Sequence, residues 1–401
     1  MYLCTMKAYF FNYSHDLCMA NHSRFYLPPR QVLEMEGCLM PLAAWVASPG
    51  DWVVTLQNSQ DFHDVCQGFY REKCPGVQFC SIQECPLDVE WVPWGIDALL
   101  WERLRKVGME SVFTWKMVED VRRLSSRQIA AQVLRHLKQA CGEYKLCGES
   151  FAITDEQELR DLLESLPQSL VKAPWSGSGR GLRFCYGRYE PPLSGWCRHV
   201  LEEQGCIMVE PLLNKLEDFA AEFRALPDGR VCFEGISFFQ TTLRCTYIGN
   251  KVATQMLLRH DLFGERYPEA YFDTLIARLE RILSETLANR YVGPLGVDMM
   301  LCREDGEIRL HPCVEINLRM TMGWLALHLP RLLASDVTAV FQMRYEHTAD
   351  AMRKYMNHLP SPLFDEEGRL MKGALPLVPC LGDTRYTAWL TATPSGILAG
   401  K

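Results

Sequence analysis

Apolar and polar positions alternate along the 401-residue chain in two distinct rhythms, one of strands and one of helices. YLCTMKAYFFN and DWVVTLQN are short apolar runs rich in aromatic and β-branched residues, and they predict strands. VEWVPWGIDALLWERLRKVG resembles a strand or turn leading into a helix, so residues 1–118 are expected to form an N-terminal α/β domain with a small parallel sheet. In RQIAAQVLRHLKQA, Ile129, Val133, Leu134 and Leu137 share a helical face behind Ser126, a suitable N-cap. A second helix, DEQELRDLLESL, follows Thr154, with Gln157 placed to complete a capping box and an expected end near Leu166.

QSLVKAPW and CIMVEPLL read as strands, each carrying one charge in an apolar run, Lys172 and Glu210. LEDFAAEFRAL and RVCFEGISFFQTT flank Pro227-Asp228-Gly229 and predict a hairpin. YVGPLGVDMMLCR and EIRLHPCVEINLR predict another around Glu304-Asp305-Gly306. Between the hairpins, Leu275, Ile276, Leu279, Ile282, Leu283 and Leu287 recur at helical spacing, as in a helix packed on a sheet. Residues 325–359 are expected to be largely helical, followed by a loop and a tail of short strand candidates, which makes 326–401 a C-terminal helical segment with a mixed tail.

Composition limits the partners. A formal charge of -7 without a lysine or arginine block argues against nucleic acid, and no apolar run is long enough to cross a bilayer, so no membrane partner is expected. Seventeen dispersed cysteines predict reduced thiols and a cytoplasmic location, and none has the paired spacing of a structural zinc site. The opening MYLCTMKAYFFNYSHD is expected to be a first strand rather than a signal peptide.

Two stretches carry candidate chemistry. After Lys172 comes APWSGSGRG, where Gly177, Gly179 and Gly181 let backbone amides approach an anion, Ser176 and Ser178 add hydroxyls, and Arg180 adds charge. An ordinary turn with Lys172 reaching to solvent is the plain alternative, and the glycines fit neither G-x-G-x-x-G nor the P-loop pattern. The second stretch is the last hairpin. Strand alternation puts Glu315 and Asn317 on one face, the turn brings Asp298 beside them, and two carboxylates with an amide oxygen make a hard ligand set for magnesium. Arg319 shares that parity and is placed to meet a phosphoryl group or carboxylate. His311 and Cys313 are read as structural neighbours, and Trp91, Trp94 and Trp101 as core, with Trp94-Gly95 bordering an acceptor cleft.

GVDMM followed by VEINLR, together with the cationic loop, resembles the ATP-grasp superfamily over residues 119–325. The resemblance implies an α/β fold with a nucleotide cleft between two α+β subdomains, one of them a lid near 150–212. It implies ATP with magnesium, or manganese in its place, as cofactors. Lys172, Arg127 and the loop Ser176, Gly177, Ser178, Gly179, Arg180 and Gly181 would hold phosphates, with Lys172 and Arg319 serving the transfer itself. Glu210, backbone groups around Leu212 and, as the ribose-facing acid, Asp218 would bind the nucleoside, and Asp298, Glu315 and Asn317 the metal. Asp298 stands where glutamate is more frequent, and Arg127 where lysine is. The implied activity is ligation of a small-molecule carboxylate to an amine through an acylphosphate. A small-molecule kinase and a non-catalytic nucleotide-binding regulator are the alternatives, and homo-oligomer formation is left open.

Overall fold

The computed structural model describes residues 6–57, 59–177, 181–241, 247–264 and 266–394. Among them the strands form three sheets. The first has the order Gln78–Ser81, Trp52–Thr55, Lys7–Phe10, Glu90–Pro93, with every neighbour parallel. Alternation along these strands feeds two separate cores: Ala8, Phe10, Val54 and Trp91 enter one, and Tyr9, Phe11, Val53 and Phe79 the other. A parallel sheet buried on both faces needs this continuous apolar character.

The second sheet, antiparallel, has the order Phe151–Ile153, Ile207–Pro211, Ser169–Lys172, Leu182–Cys185. Helices Glu156–Ser165 and Pro191–Gln204 share its apolar cluster, where Leu159, Leu163, Cys197 and Val200 meet Val171, Ile207 and Val209. The cap of the first of these helices differs from expectation. Asp155, not Thr154, accepts the amides of Gln157 and Glu158, because its carboxylate stands one residue nearer the first turn. Ser126 caps Arg127–Ala140 through the amide of Gln128.

The third sheet has nine strands and is antiparallel throughout. Both expected hairpins lie in it, Asn214–Ala225 with Val231–Thr241 and Gly293–Glu304 with Glu307–Asn317. The turn of the second uses Asp305 and Gly306, both at positive φ, as a twisted two-residue turn demands. The Glu269–Leu287 helix buries Phe272, Leu275, Leu279 and Leu283 in the core shared with this sheet.

The helical reading of 325–359 needs correction. Helix Met322–His328 ends early, Val337–Tyr345 is a strand of the large sheet, and helix Ala349–Asn357 follows. The run VTAVFQMRY is rich in β-branched and aromatic residues, and its pairing with Tyr247–Val252 and Tyr386–Pro394 outweighs local helix propensity. The tail also returns to the N-terminal region: Trp45 Nε1 and Tyr70 Oη both donate to the Leu377 carbonyl, at 2.7 and 2.6 Å. Every described cysteine is free, and no described helix is long and apolar enough to cross a membrane.

Candidate active site

Three adjacent strands of the large sheet, Asn214–Ala225, Gly293–Glu304 and Glu307–Asn317, carry several polar residues on a shared face. Directly paired residues share a face, so the registers set out rows. Glu222, Gly296 and Asn317 form the first, Ala220, Asp298 and Glu315 the second, and Asp218, Met300 and His311 the third. The ladder shifts register between Asp298 and Met300, opposite the segment holding Pro312. Proline has no N–H to offer the ladder, which accounts for a bulge there.

Asp298 and Glu315 therefore face each other at one ladder position. Burial pushes the Asp298 carboxyl up to about 8, and the charges of Glu315 and Glu222 add to this against Arg319 and a hydrogen bond from Asn317. Such a pair is relieved by a proton or a cation, and for a cation the Asn317 amide oxygen would be a third hard ligand. Among the described residues no group of three or more His, Cys, Asp or Glu forms a cation site, so the set fits magnesium only with that amide.

Glu222 escaped the sequence reading, though an acid inside the apolar run FAAEFRAL was its signal. It is fully buried and accepts hydrogen bonds from Ser237 and Thr321 at 2.8 and 2.9 Å. Burial raises its carboxyl to about 7. Gly323 leaves it room, since a Cβ there would stand 2.1 Å from Glu222 Oε1.

Across the cleft, Lys172 and Glu210 lie on adjacent strands of the small antiparallel sheet and form a buried ion pair of 2.6 Å. Ser150 also donates to Glu210. Lys172 thus does not reach to solvent. Arg127, buried at the start of its helix, joins the walls: Nη2 meets Glu315 at 2.7 Å, while Nη1 donates to the Ala173 carbonyl and to Ser176 Oγ. The N–H of Leu212 donates to the Gln168 carbonyl. Asp218 pairs with Lys215 at the rim.

The loop after Lys172 closes by a hydrogen bond from Ala173 N to the Gly181 carbonyl. Ser178, Gly179 and Arg180 lie outside the described residues. Gly177 has no left-handed backbone; its smallness matters because a Cβ there would stand 2.4 Å from Asp16 Cβ. Asp16 holds the Arg319 guanidinium through both oxygens, at 2.7 and 3.1 Å. Strand parity does not place Arg319, since the strand ends at Asn317. A tight turn from Arg319 N to the Asn317 carbonyl instead brings it back to the carboxylates. Trp94 is buried as expected, and its carbonyl accepts from Met320 N.

No protein-family model and no curated protein matches this chain in sequence. Solved structures do match it. An ADP complex of the N5-carboxyaminoimidazole ribonucleotide synthetase purK superposes with a TM-score of 0.52 at 11% identity, over 98% of this chain and 93% of the other. Biotin carboxylase from Campylobacter jejuni gives 0.51 at 12% identity, over 97% and 88%. The biotin carboxylase domain of Hydrogenobacter thermophilus 2-oxoglutarate carboxylase, with MgADP and bicarbonate, gives 0.50 at 13% identity, over 97% and 86%. The chain has the ATP-grasp fold. Within this ATP-grasp fold, the cleft has the 151–211 sheet as one wall and the face bearing Asp298 and Glu315 as the other.

Proposed function

We propose that the protein uses ATP and magnesium to activate a carboxylate as an acylphosphate, which an amine then attacks to give an amide, ADP and phosphate. The observation that carries this reading is the meeting of Arg127, Glu315 and the 173–176 loop, which joins the Lys172 wall to the Asp298 wall around one small cleft. Lys172 holds nonterminal phosphate oxygens once Glu210 releases it toward the nucleoside. Arg127 stays at the loop, where Ser176 and its own guanidinium exclude water from the labile intermediate. Magnesium supplies charge neutralisation of the triphosphate when held by Asp298, Glu315 and Asn317. Arg319, freed from Asp16, offers its planar fork to the substrate carboxylate and then to the charge that develops during transfer. Neither step needs a protein nucleophile; alignment and electrostatics carry the chemistry.

The test is a coupled ADP-release screen of carboxylate and amine pairs with MgATP, followed by product mass. A product weighing the acid plus the amine minus water supports ligation. A phosphoryl mass added to an acceptor alcohol makes the protein a kinase, and nucleotide binding with no turnover across the panel makes it a regulator.

A further inference from the structure

The parallel sheet has a topological switch point between Lys7–Phe10 and Glu90–Pro93, since chain order runs outward from the first strand in both directions. Open parallel sheets bind ligands at the carboxyl ends of strands at such a point. Here those ends carry Asn12, His15 and Asp16 on one side and Gly95 and Asp97 on the other. His15 Nδ1 lies 3.1 Å from Asp97 Oδ2. That oxygen also accepts from Asn12 Nδ2 at 2.8 Å, and Asp97 Oδ1 accepts the amide of Leu100 at 2.9 Å. A carboxylate only accepts, so Nδ1 carries a proton toward Asp97, and Nε2 is the ring nitrogen left for another partner. No described residue bonds Nε2.

The ring is also fixed in place. His15 is 2% exposed, and Gly95 packs so closely that a Cβ there would stand 2.5 Å from the imidazole. The ring borders a cavity of about 30 Å³ whose other walls include Asp16, Glu315, Asn317 and Arg319. A buried imidazole oriented by a carboxylate thus opens onto the space beside the transfer arginine and the metal-ligand candidates.

We propose that His15, oriented by Asp97, is the proton acceptor for the attacking amine, an assignment that rests on the ligase reading above. The amine nitrogen forms its bond to the acyl carbon, the carbon–oxygen bond to phosphate breaks, and that electron pair leaves with phosphate. The nitrogen's surplus proton passes to His15 Nε2, and Asp97 stabilises the imidazolium until the departing phosphate takes the proton. Asp97 is a positioning residue, because it acts through the ring.

Hydroxylamine separates this step from acylphosphate formation, since it traps acyl phosphates without help from a base. The experiment gives the full-length protein MgATP and the acids of the panel, with either the panel amine or hydroxylamine, and measures amide against hydroxamate. His15→Gln and Asp97→Asn are expected to lower the amide-to-hydroxamate ratio by about 100-fold or more, the usual worth of a positioned base. His15→Asn retains a donor toward Asp97 but lacks Nε2, so it should lower the ratio equally and covers the case of a poorly folding glutamine variant. A ratio unchanged in either soluble His15 variant overturns the assignment while leaving the ligase reading intact. No hydroxamate from the wild-type protein with any acid overturns the ligase reading and this proposal with it.

Discussion

The two walls that meet around the cleft satisfy their charges in different ways. On the wall formed by the small antiparallel sheet, Lys172 and Glu210 pair between adjacent strands, so one sheet holds both partners. On the N-terminal wall, Asp16 pairs with Arg319, which lies 303 residues along the chain in a different layer. That contact forms only once two segments far apart in sequence have packed together. The first pair is therefore completed within one sheet, whereas the second depends on the packing of two layers.

Lys172→Ala gives the largest expected effect on this contrast, because it leaves the buried Glu210 carboxyl without its cation. Removing one partner of a buried pair costs about 3–5 kcal/mol, and the urea midpoint should fall accordingly together with ATP affinity. The double replacement Lys172→Met with Glu210→Leu should restore most of the stability but not the affinity. Recovery of both would make the pair merely structural.

Arg319→Lys comes next. It keeps the charge but loses the fork, so turnover should fall about 100-fold while ATP affinity changes little. Equal losses in both would place Arg319 with the nucleotide.

His311 sharpens the comparison through pH. Burial, reinforced by Lys172 and Lys138, lowers its imidazole from 6.5 to about 3, so the folded protein holds the ring neutral where the unfolded chain protonates it. The unfolded state then binds more protons, and stability must fall as pH drops below about 6.5 toward 3. Between pH 7 and 5 this amounts to about 2 kcal/mol, and His311→Gln should flatten that part of the urea-midpoint profile. An unchanged profile would show that the ring charges without opening the fold.

The smallest effect belongs to Gly177→Ala. The new methyl must displace Asp16, which costs about 1 kcal/mol of overpacking and should loosen the grip on Arg319. Thermal denaturation with and without MgATP would measure it, and an unchanged midpoint in both would mean the loop yields freely.

The strands of Lys172 and Glu210, and the shared face of Glu315 and Asn317, were legible because strand alternation is local. A lone Lys172 or Glu210 in an apolar run, and Glu315 two residues before Asn317, declare which side chains share a face. The N-terminal contribution was hidden because the order of parallel strands, not their spacing, brings Asp97 to His15. Glu222 was missed, although an acid in an apolar run marks it, because its partners Ser237 and Thr321 lie on separate elements. Val337–Tyr345 was misread because two distant strands decide its state. The approach of Arg319 was foreseen for the wrong reason: a bend, not strand alternation, returns it to the site.

The shared carbonyl of Leu377 has a consequence for biosynthesis. Tyr70 must wait for a partner 307 residues further along the chain. At about 5–20 residues per second, roughly 15–60 s of translation separate the two groups. Throughout that interval the Trp45 and Tyr70 donors lack their native acceptor, so the nascent N-terminal sheet faces the cell with an unfinished side. Chaperone occupancy on ribosome-bound chains should therefore persist until the segment around Leu377 has cleared the exit tunnel.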